Sequence, residues 1–424
     1  MNPRKPIAIM LLAGGIIIFA LSLIPYSLAR NTLVRLKHAI DPRPGSGVAT
    51  APAPTAASSA EPLFDVAQWY GERGEQPETH GVLIESLKGD RTYASHNVDE
   101  SFNPASLIKL ATSLVALRRL GPDFRFQIRV YADGEPDPKG TLRGKLYVMG
   151  SDPTFGEIGA NLIAKELEAR GIKRVGEGLL VSPDFCFNFS ESAEESAARL
   201  GKALNLGSPQ PGVAEQPSGR LLFIFNSYAL RDLLLYMNAR SSNFVAERIG
   251  ALIGGPTGVE QFLVDELRLP PEQVTIERVS GREHNRMTAR GVVTVIRALV
   301  EETRRHGMEP TDIMPVASDD AGTLRRRLAG TGLEGAVVGK TGTLTSEVDG
   351  GMSSLAGLVY TQDAGLILFA ILDQGNRIWD HRQMEDQLLA DAVKSQAVPQ
   401  AVAAPTPRQL LPASSLKITN ADGQ

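Results

Sequence analysis

Three short polar motifs that lie far apart in the sequence constrain the fold of this chain most strongly. Ser106-Leu107-Ile108-Lys109 opens a segment whose apolar residues recur every three or four positions, which predicts a helix. Ser241-Ser242-Asn243 lies between two further helical patterns. Lys340-Thr341-Gly342-Thr343 begins a series of three apolar segments separated by turns, which predicts an antiparallel meander. The motifs therefore predict a fold in which a helix, an interhelical loop and a strand each carry polar groups.

The first motif carries the pair of residues that we expect to react. Residues three apart in a helix share a face, so the Ser106 hydroxyl and the Lys109 amine can meet. A serine is a weak nucleophile until a base takes its proton, and lysine is such a base only when burial or nearby positive charge lowers its pKa. The N–H of Ser106, at the start of the helix, is suited to stabilise an oxyanion. We predict Ser106 as the nucleophile and Lys109 as its base.

The third motif predicts a surface that binds substrate. A strand can present a cation, a hydroxyl group and open N–H groups side by side, and a glycine lets a substrate backbone lie close. We expect Lys340 to attract a substrate carboxylate and the N–H of Thr343 to complete an oxyanion hole. Thr341 and Gly342 are the other substrate-binding residues that this motif predicts.

The second motif is interpreted as a proton relay and an amide-binding group. We expect the Ser241 hydroxyl to relay a proton between the two lysines and the leaving amine, and Asn243 to hydrogen-bond a substrate amide. Serine and asparagine also cap helices, so a capping role is the structural alternative. A lysine on an edge strand that discourages aggregation is the corresponding alternative for Lys340.

No single motif is specific. Ser-x-x-Lys recurs at Ser414-Ser415-Leu416-Lys417, again after Pro-Ala, in a stretch with no helical pattern. We interpret that copy as chance. The order of a helical Ser-x-x-Lys, a loop Ser-x-Asn and a strand Lys-Thr-Gly is what favours catalysis.

The N-terminus predicts export. Arg4 and Lys5 precede an uncharged apolar run over residues 7–24 that continues to Ala29. Eighteen residues of helix are about 27 Å long, close to the hydrocarbon thickness of a bilayer. An uncleaved anchor in the inner membrane, residues 7–29, is favoured over a signal peptide cleaved after Ser27-Leu28-Ala29. Either interpretation places the remaining chain in the periplasm or cell envelope.

Composition excludes several other classes of protein. The formal net charge of −4 and the lack of a basic stripe argue against nucleic acid as a partner. Cys186 is the single cysteine, so no intrachain disulfide can form. The six histidines show no pair at helical ligand spacing, so we expect no metal site.

The motifs and their flanks resemble class C penicillin-binding proteins, the D-alanyl-D-alanine carboxypeptidase/endopeptidase family of the penicillin-recognising serine enzymes. The similar segments are residues 104–110, 140–148, 150–155, 243–247 and 321–324, besides the third motif. Val279-Ser280-Gly281 departs from the Asp-Gly-Ser-Gly that is usual in the family. The resemblance spans roughly residues 64–395. It implies an α+β, DD-peptidase/β-lactamase-like fold, in which an antiparallel sheet flanked by helices faces an all-helical half across the active-site cleft.

The expected organisation has five parts. Short strands and glycine turns after Phe126 indicate an inserted β-rich domain. The divisions are residues 1–29 as anchor or signal segment, 30–62 as a Pro/Ala-rich linker, 63–125 and 220–395 as the penicillin-binding DD-peptidase domain, 126–219 as the inserted domain, and 396–424 as a loose C-terminal tail.

The resemblance implies a serine D-alanyl-D-alanine carboxypeptidase that acts on peptidoglycan stem peptides through a Ser106 acyl-enzyme. The sequence leaves open whether the enzyme also has DD-endopeptidase activity. The resemblance also implies β-lactams as covalent inhibitors and neither metal nor organic cofactor. Two alternatives remain: a serine β-lactamase that shares the motifs, and a non-catalytic envelope protein that binds peptidoglycan. The Glu-x-x-Leu-Asn segment of class A β-lactamases does not occur between the second and third motifs.

Overall fold

A computed structural model of the chain describes residues 64–402 and 408–421. The strands are β1 His80–Ser86, β2 Thr92–His96, β3 Ser101–Phe102, β4 Arg125–Ala132, β5 Thr141–Leu142, β6 Leu146–Met149, β7 Arg174–Val175, β8 Gly178–Val181, β9 Gln210–Val213, β10 Arg220–Ala229, β11 Met287–Thr288, β12 Val337–Leu344, β13 Met352–Tyr360, β14 Leu366–Gln374 and β15 Lys417–Asn420. The helices are α1 Val66–Gly71, α2 Ile108–Leu120, α3 Glu157–Ala169, α4 Ala193–Leu204, α5 Leu230–Arg240, α6 Asn243–Leu252, α7 Gly255–Asp265, α8 Ala289–Arg305 and α9 Ile378–Lys394. Single 3₁₀ turns occur at Pro77–Thr79, Ala105–Leu107, Pro271–Gln273, Pro310–Asp312 and Ala413–Ser415.

The first sheet has the strand order β12-β13-β14-β1-β2, and every neighbouring pair is antiparallel. Both of its faces are covered. In β14, Leu368, Ala370 and Leu372 belong to one hydrophobic cluster, and Ile367, Phe369 and Ile371 to another. Successive side chains of a strand point to opposite faces, so a continuous apolar run is what burial on two sides requires. The predicted hairpin and meander form this sheet.

The helical half packs around α2. Every residue of α2 from Ile108 to Leu117 is buried. Apolar residues of α5, α6, α7 and α8 share one core cluster with α2 and with one face of the first sheet. A helix that is buried all round must lie at the centre of its half. The turn that leads into α2 lies against strand β12 of the first sheet. The predicted α+β class is confirmed.

A second sheet has the order β15-β10-β4-β6-β8-β9, with β6, β8 and β9 parallel. It shares a separate hydrophobic cluster with α3 and α4. The sheet covers most of the predicted insertion, residues 126–219, but it also includes β10 and β15 from outside those bounds.

The C-terminal segment differs from the loose tail expected for residues 396–424. Lys417–Asn420 forms β15, which pairs with β10 from Phe223 to Asn226. Arg408 donates a hydrogen bond of 3.1 Å to the buried carboxylate of Asp320. The strand was missed because a four-residue edge strand with one face exposed carries almost no apolar pattern.

The predicted membrane anchor, residues 7–29, lies outside the described residues. Within the described ranges, no helix combines the length and the apolar character needed to cross a bilayer.

Candidate active site

Ser106 lies in a 3₁₀ turn, Ala105–Leu107, that leads directly into α2. Ala105, just before it, has a φ of 51°, in the left-handed region that a non-glycine residue rarely adopts. The Oδ1 atom of Asn103 accepts a hydrogen bond of 3.0 Å from the N–H of Ala105 and so stabilises this strained turn. The half-buried Ser106 side chain is presented at the helix start, where backbone N–H groups have no partner within the helix.

Lys109 is fully buried and donates to three acceptors. Its Nζ lies 3.0 Å from the Oγ of Ser106 and 2.7 Å from the Oδ1 of Asn243. The third acceptor is the backbone carbonyl of Ser280. A neutral lysine has two N–H donors and one lone pair. In the neutral form Asn243 and Ser280 accept the two N–H donors, and the contact with Ser106 reverses: the Ser106 hydroxyl then donates to the lone pair of Lys109.

The pKa of Lys109 is lowered to about 7. Burial is the largest cause, because it penalises the charged form. The carboxylate of Glu247 opposes this shift, and Arg282 adds to it. An amine with a pKa near neutral can accept a proton from a hydroxyl group, which an ordinary lysine cannot do.

The second motif divides its roles between neighbouring residues. Ser242 caps α6, since its hydroxyl accepts a hydrogen bond from the N–H of Val245. Ser241 ends α5 in the left-handed conformation, with a φ of 53°. Its Oγ accepts a hydrogen bond of 2.9 Å from the Nζ of Lys340. The capping role therefore falls on Ser242, and the hydroxyl of Ser241 links the second motif to the third.

Lys340 is as buried as Lys109. Its Nζ also donates to the carbonyl of Thr341, 2.6 Å away. Burial lowers the pKa of Lys340 well below its usual value, and the charge of Lys109 lowers it further. The two amines thus share one desolvated environment beside the candidate nucleophile, and burial disfavours the charged form of both.

The strand β12 lies at the edge of the first sheet and leaves part of that edge open. The N–H of Gly339 donates to the carbonyl of Pro315, on the side away from β13. Alternate residues of a strand direct their N–H groups to the same edge. Thr341 and Thr343 therefore face the open edge, beyond the stretch that residues 315–317 cover. The N–H of Thr343, predicted as part of an oxyanion hole, therefore lies on the open edge of β12.

Gly342 lies where β12 packs against the turn that carries the nucleophile. A Cβ at this position would lie 2.1 Å from the Oγ of Ser354 and 2.9 Å from the carbonyl oxygen of Pro104. Only glycine lets the strand lie against the turn that carries Ser106. The structure thus brings the predicted residues of the three motifs close to one another.

Three contributing residues were not predicted from the sequence. The carbonyl of Ser280 contacts Lys109, and Glu247 holds that loop by accepting a hydrogen bond of 3.2 Å from the N–H of Ser280. The side chain of Asn103 orients the nucleophile turn. Every residue has a backbone carbonyl, so the contact made by the carbonyl of Ser280 cannot be predicted from the type of residue at that position. The Asn-Pro-Ala-Ser sequence around the nucleophile was the one available sign of the turn.

The second Ser-x-x-Lys copy has a structural role. The Oγ of Ser415 donates to Asp232, 2.6 Å away, and its carbonyl accepts from Arg125. Lys417 begins β15. The serine of this copy, Ser414, is exposed in the 3₁₀ turn Ala413–Ser415, and Lys417 is exposed on the strand, so the two do not share a helix face. Within the described residues, no cluster of three or more His, Cys, Asp or Glu side chains could hold a metal ion.

The sequence matches the D-Ala-D-Ala carboxypeptidase 3 (S13) family over residues 71–197 and 210–395. The chain belongs to this family. The resemblance inferred from the three motifs is confirmed, because the matched family is one of D-Ala-D-Ala carboxypeptidases.

Known proteins agree with the family. A D-alanyl-D-alanine carboxypeptidase of Actinomadura sp. (strain R39) is 33% identical over 108 residues, which are 25% of this chain and 20% of that protein. The match thus spans about a fifth of the curated relative.

Two solved structures share the fold. A predatory peptidoglycan endopeptidase from Bdellovibrio bacteriovorus superposes with a TM-score of 0.68 at 20% identity, covering 80% of this chain and 98% of that one. It has also been solved acylated by penicillin G. Penicillin binding protein 4 from Haemophilus influenzae, in complex with a β-lactam, gives a TM-score of 0.58 at 18% identity, covering 74% and 95%. The predicted DD-peptidase-like fold is confirmed.

Proposed function

We propose that this chain is a serine D-alanyl-D-alanine carboxypeptidase that acts on peptidoglycan stem peptides through an acyl-enzyme at Ser106. One observation carries the proposal: the buried amine of Lys109, with a pKa of about 7, lies 3.0 Å from the Ser106 hydroxyl. Family membership supports the same chemistry.

In the proposed acylation, the Oγ of Ser106 attacks the carbonyl carbon of the penultimate D-alanine. Its proton passes to the lone pair of Lys109, which Asn243 and Ser280 orient through the other hydrogen bonds of that amine. The N–H groups of Ser106 and Thr343 stabilise the oxyanion. Such preorganised donors typically lower the barrier by about 3 kcal/mol each.

Collapse of the tetrahedral intermediate breaks the C–N bond. The proton held by Lys109 reaches the leaving amine through the Ser241 hydroxyl, which Lys340 positions. D-Alanine departs with its carboxylate beside Lys340 and Thr341, while Asn243 and the edge around Gly342 hold the acyl side. Water then attacks the ester by the same route in reverse and releases the shortened peptide.

Location and inhibition follow from this proposal. We propose that residues 7–29 anchor the enzyme in the inner membrane and that residues 126–219, extended by β10, form the inserted domain.

β-Lactams are proposed as covalent inhibitors because they present a reactive amide and a carboxylate to the same groups. The relative acylated by penicillin G supports this.

A fluorescent penicillin tests the acyl-enzyme in the full-length protein. We expect a covalent label that persists for many minutes and is absent in Ser106→Ala, together with release of D-alanine from a pentapeptide. Ser414→Ala is the matched control, because Ser414 is the serine of the other Ser-x-x-Lys copy, and it should label normally.

Two results would reject the proposal. Rapid loss of the label with turnover of the penicillin would identify a β-lactamase instead. No label and no release of D-alanine would leave a non-catalytic peptidoglycan-binding protein as the better interpretation.

A further inference from the structure

A network of hydrogen bonds centred on Asp349 lies next to the nucleophile turn and has no part in the chemistry described above. Asp349 lies in the turn between β12 and β13, with a φ of 55°. Its carboxylate accepts two hydrogen bonds from Arg286, of 2.7 and 3.0 Å, and its Oδ1 also lies 3.0 Å from the Nδ1 of His284. Its backbone carbonyl accepts a hydrogen bond of 3.1 Å from the side chain of Gln374, at the end of β14. One residue therefore joins this turn to two other segments of the chain.

Asn103 connects Asp349 to the turn that carries Ser106. The side chain of Asn103 is buried, and its Nδ2 donates to the Oδ2 of Asp349, 2.7 Å away, and to the carbonyl of Glu283, 2.6 Å away. The Oδ1 of the same amide accepts from the N–H of Ala105. The carboxylate and the carbonyl can only accept, so they require the NH₂ group of the amide on their side, and the amide oxygen must then face Ala105. The carboxylate of Asp349 thus helps to fix which way round the Asn103 amide lies.

Arg286 keeps the Asp349 carboxylate ionised. Its hydrogen bonds hold the pKa of Asp349 well below the usual range of a carboxyl group, and those of Asn103 and His284 lower it further. Hydrogen bonds to an ionised acceptor are roughly twice as strong as those between neutral groups. The orientation of the Asn103 amide is therefore well defined at neutral pH.

The same network holds the loop that contacts the base. Residues 283–286, which Asp349 and Asn103 contact, follow Ser280 in one loop. The carbonyl of Ser280 accepts a hydrogen bond from Lys109. The nucleophile turn and the loop beside the base are therefore both tied to a single carboxylate.

We propose that Asp349 is a positioning residue for the acylation step and acts through Asn103 on the turn that carries Ser106. The inference rests on the proposed function, since acylation of Ser106 is the step that it affects. The left-handed conformation of Ala105 costs free energy, so the turn depends on a fixed acceptor for the N–H of that residue. Without the Asp349 carboxylate, the amide loses a partner that sets its orientation, and the Oγ of Ser106 is no longer held at the Nζ of Lys109. A misplacement of about 1 Å can slow a reaction by about 100-fold.

The test separates the binding of a fluorescent penicillin from the acylation step in full-length variants. Asp349→Asn keeps the size of the side chain and a residue type that tolerates the left-handed conformation, but it places an NH₂ group among hydrogen-bond donors. We expect the rate constant of acylation to fall about tenfold. The dissociation constant of the preceding complex should stay within about twofold, because the groups proposed to bind the carboxylate, Lys340 and Thr341, hydrogen-bond outside the network.

Asp99→Asn is the matched control. Asp99 also accepts two hydrogen bonds from one arginine, Arg290, at 2.7 and 3.0 Å, but this pair is exposed and separate from the network. The control should acylate with the wild-type rate constant.

A double-mutant cycle tests whether Asp349 acts through Asn103. Asn103→Ala should itself slow acylation about tenfold, and adding Asp349→Asn in that background should lower the rate constant by less than about twofold more. All proteins are compared at a temperature at which thermal denaturation shows every variant folded, so a loss of stability alone would leave the rate constant unchanged.

The outcomes distinguish the inference from the proposed function. Acylation of folded Asp349→Asn at the wild-type rate, or a double variant in which the two losses multiply, would overturn the inference. If Asp349→Asn does not fold, Arg286→Lys replaces it, because lysine cannot hold both oxygens of the carboxylate. That variant should also acylate more slowly than wild type, and an unchanged rate would count equally against the inference. No acylation of the wild type would instead reject the proposed function itself.

Discussion

At the scale of single residues, the environment of Lys109 sets the pH dependence of the reaction. Only the neutral amine can accept the Ser106 proton, and the pKa of Lys109 is about 7. Below that pH the amine is protonated and acylation slows. We expect the second-order rate of penicillin acylation to rise about tenfold between about pH 6 and about pH 8 and then to level off. Stopped-flow fluorescence with a chromogenic or fluorescent β-lactam measures this profile.

Glu247 provides the control for this prediction. Its negative charge raises the pKa of Lys109, against the effect of burial. Glu247→Gln removes the charge and keeps an oxygen that can accept from the N–H of Ser280. The rising limb of the profile should therefore move to lower pH. A limb that stays in place, or that moves to higher pH, would contradict the assignment of the limb to Lys109.

At the scale of elements, one buried ion-pair cluster joins α9 to the segment that precedes β12. Arg327 is nearly buried and lies 2.6 Å from Glu385 and 2.8 Å from Asp386. Burial raises the pKa of Glu385 to about 7, and Arg327 opposes that shift. Arg327 and Asp386 of this cluster also line a cavity of about 440 Å³ next to the third motif.

Replacing Arg327 should destabilise the protein strongly. Arg327→Ala leaves Glu385 buried without its counter-charge and should lower the free energy of unfolding by about 3 kcal/mol. Urea denaturation followed by circular dichroism measures this. Arg325→Ala is the matched control, because that arginine is exposed, and its effect should stay within about 0.5 kcal/mol. Equal effects of the two substitutions would show that the cluster contributes nothing to stability.

At the scale of the whole molecule, the C-terminal segment joins parts that are distant in sequence. β15 pairs with β10 in the second sheet, and Arg408 neutralises Asp320. Asp320 in turn accepts a hydrogen bond of 2.8 Å from the N–H of Val316, whose segment covers β12 next to the open edge. The end of the chain therefore supports both the second sheet and the approach to the candidate site.

Truncation tests this support. A chain ending at Val402 loses β15 and Arg408, so we expect a Tm lower by several degrees and faster hydrogen exchange of the β10 amides, while β1 and β14 stay protected. A chain ending at Ala421 keeps both contacts and should melt like wild type. Identical melting of the two truncated proteins would show that the segment is dispensable.

Much of this architecture follows from the sequence alone because its causes are local. Helix α2 needs only apolar residues at spacings of three and four, and the hairpin and meander need only apolar runs between turns. Ser106 and Lys109 share one helix face, so their contact follows from helical geometry. The order of the three motifs was enough to indicate the family and the fold.

Tertiary structure decided the rest, because the remaining contacts join residues that no local pattern relates. The carbonyl of Ser280 acts on Lys109 through a backbone atom that any residue could supply. Arg382 reaches Thr343 from a helix that begins beyond two further strands. The burial that lowers the pKa of Lys109 exists only once the sheet and the helices close around it. The sequence could therefore indicate the reactive pair, whereas only the folded molecule creates the desolvated surroundings that lower the pKa of Lys109.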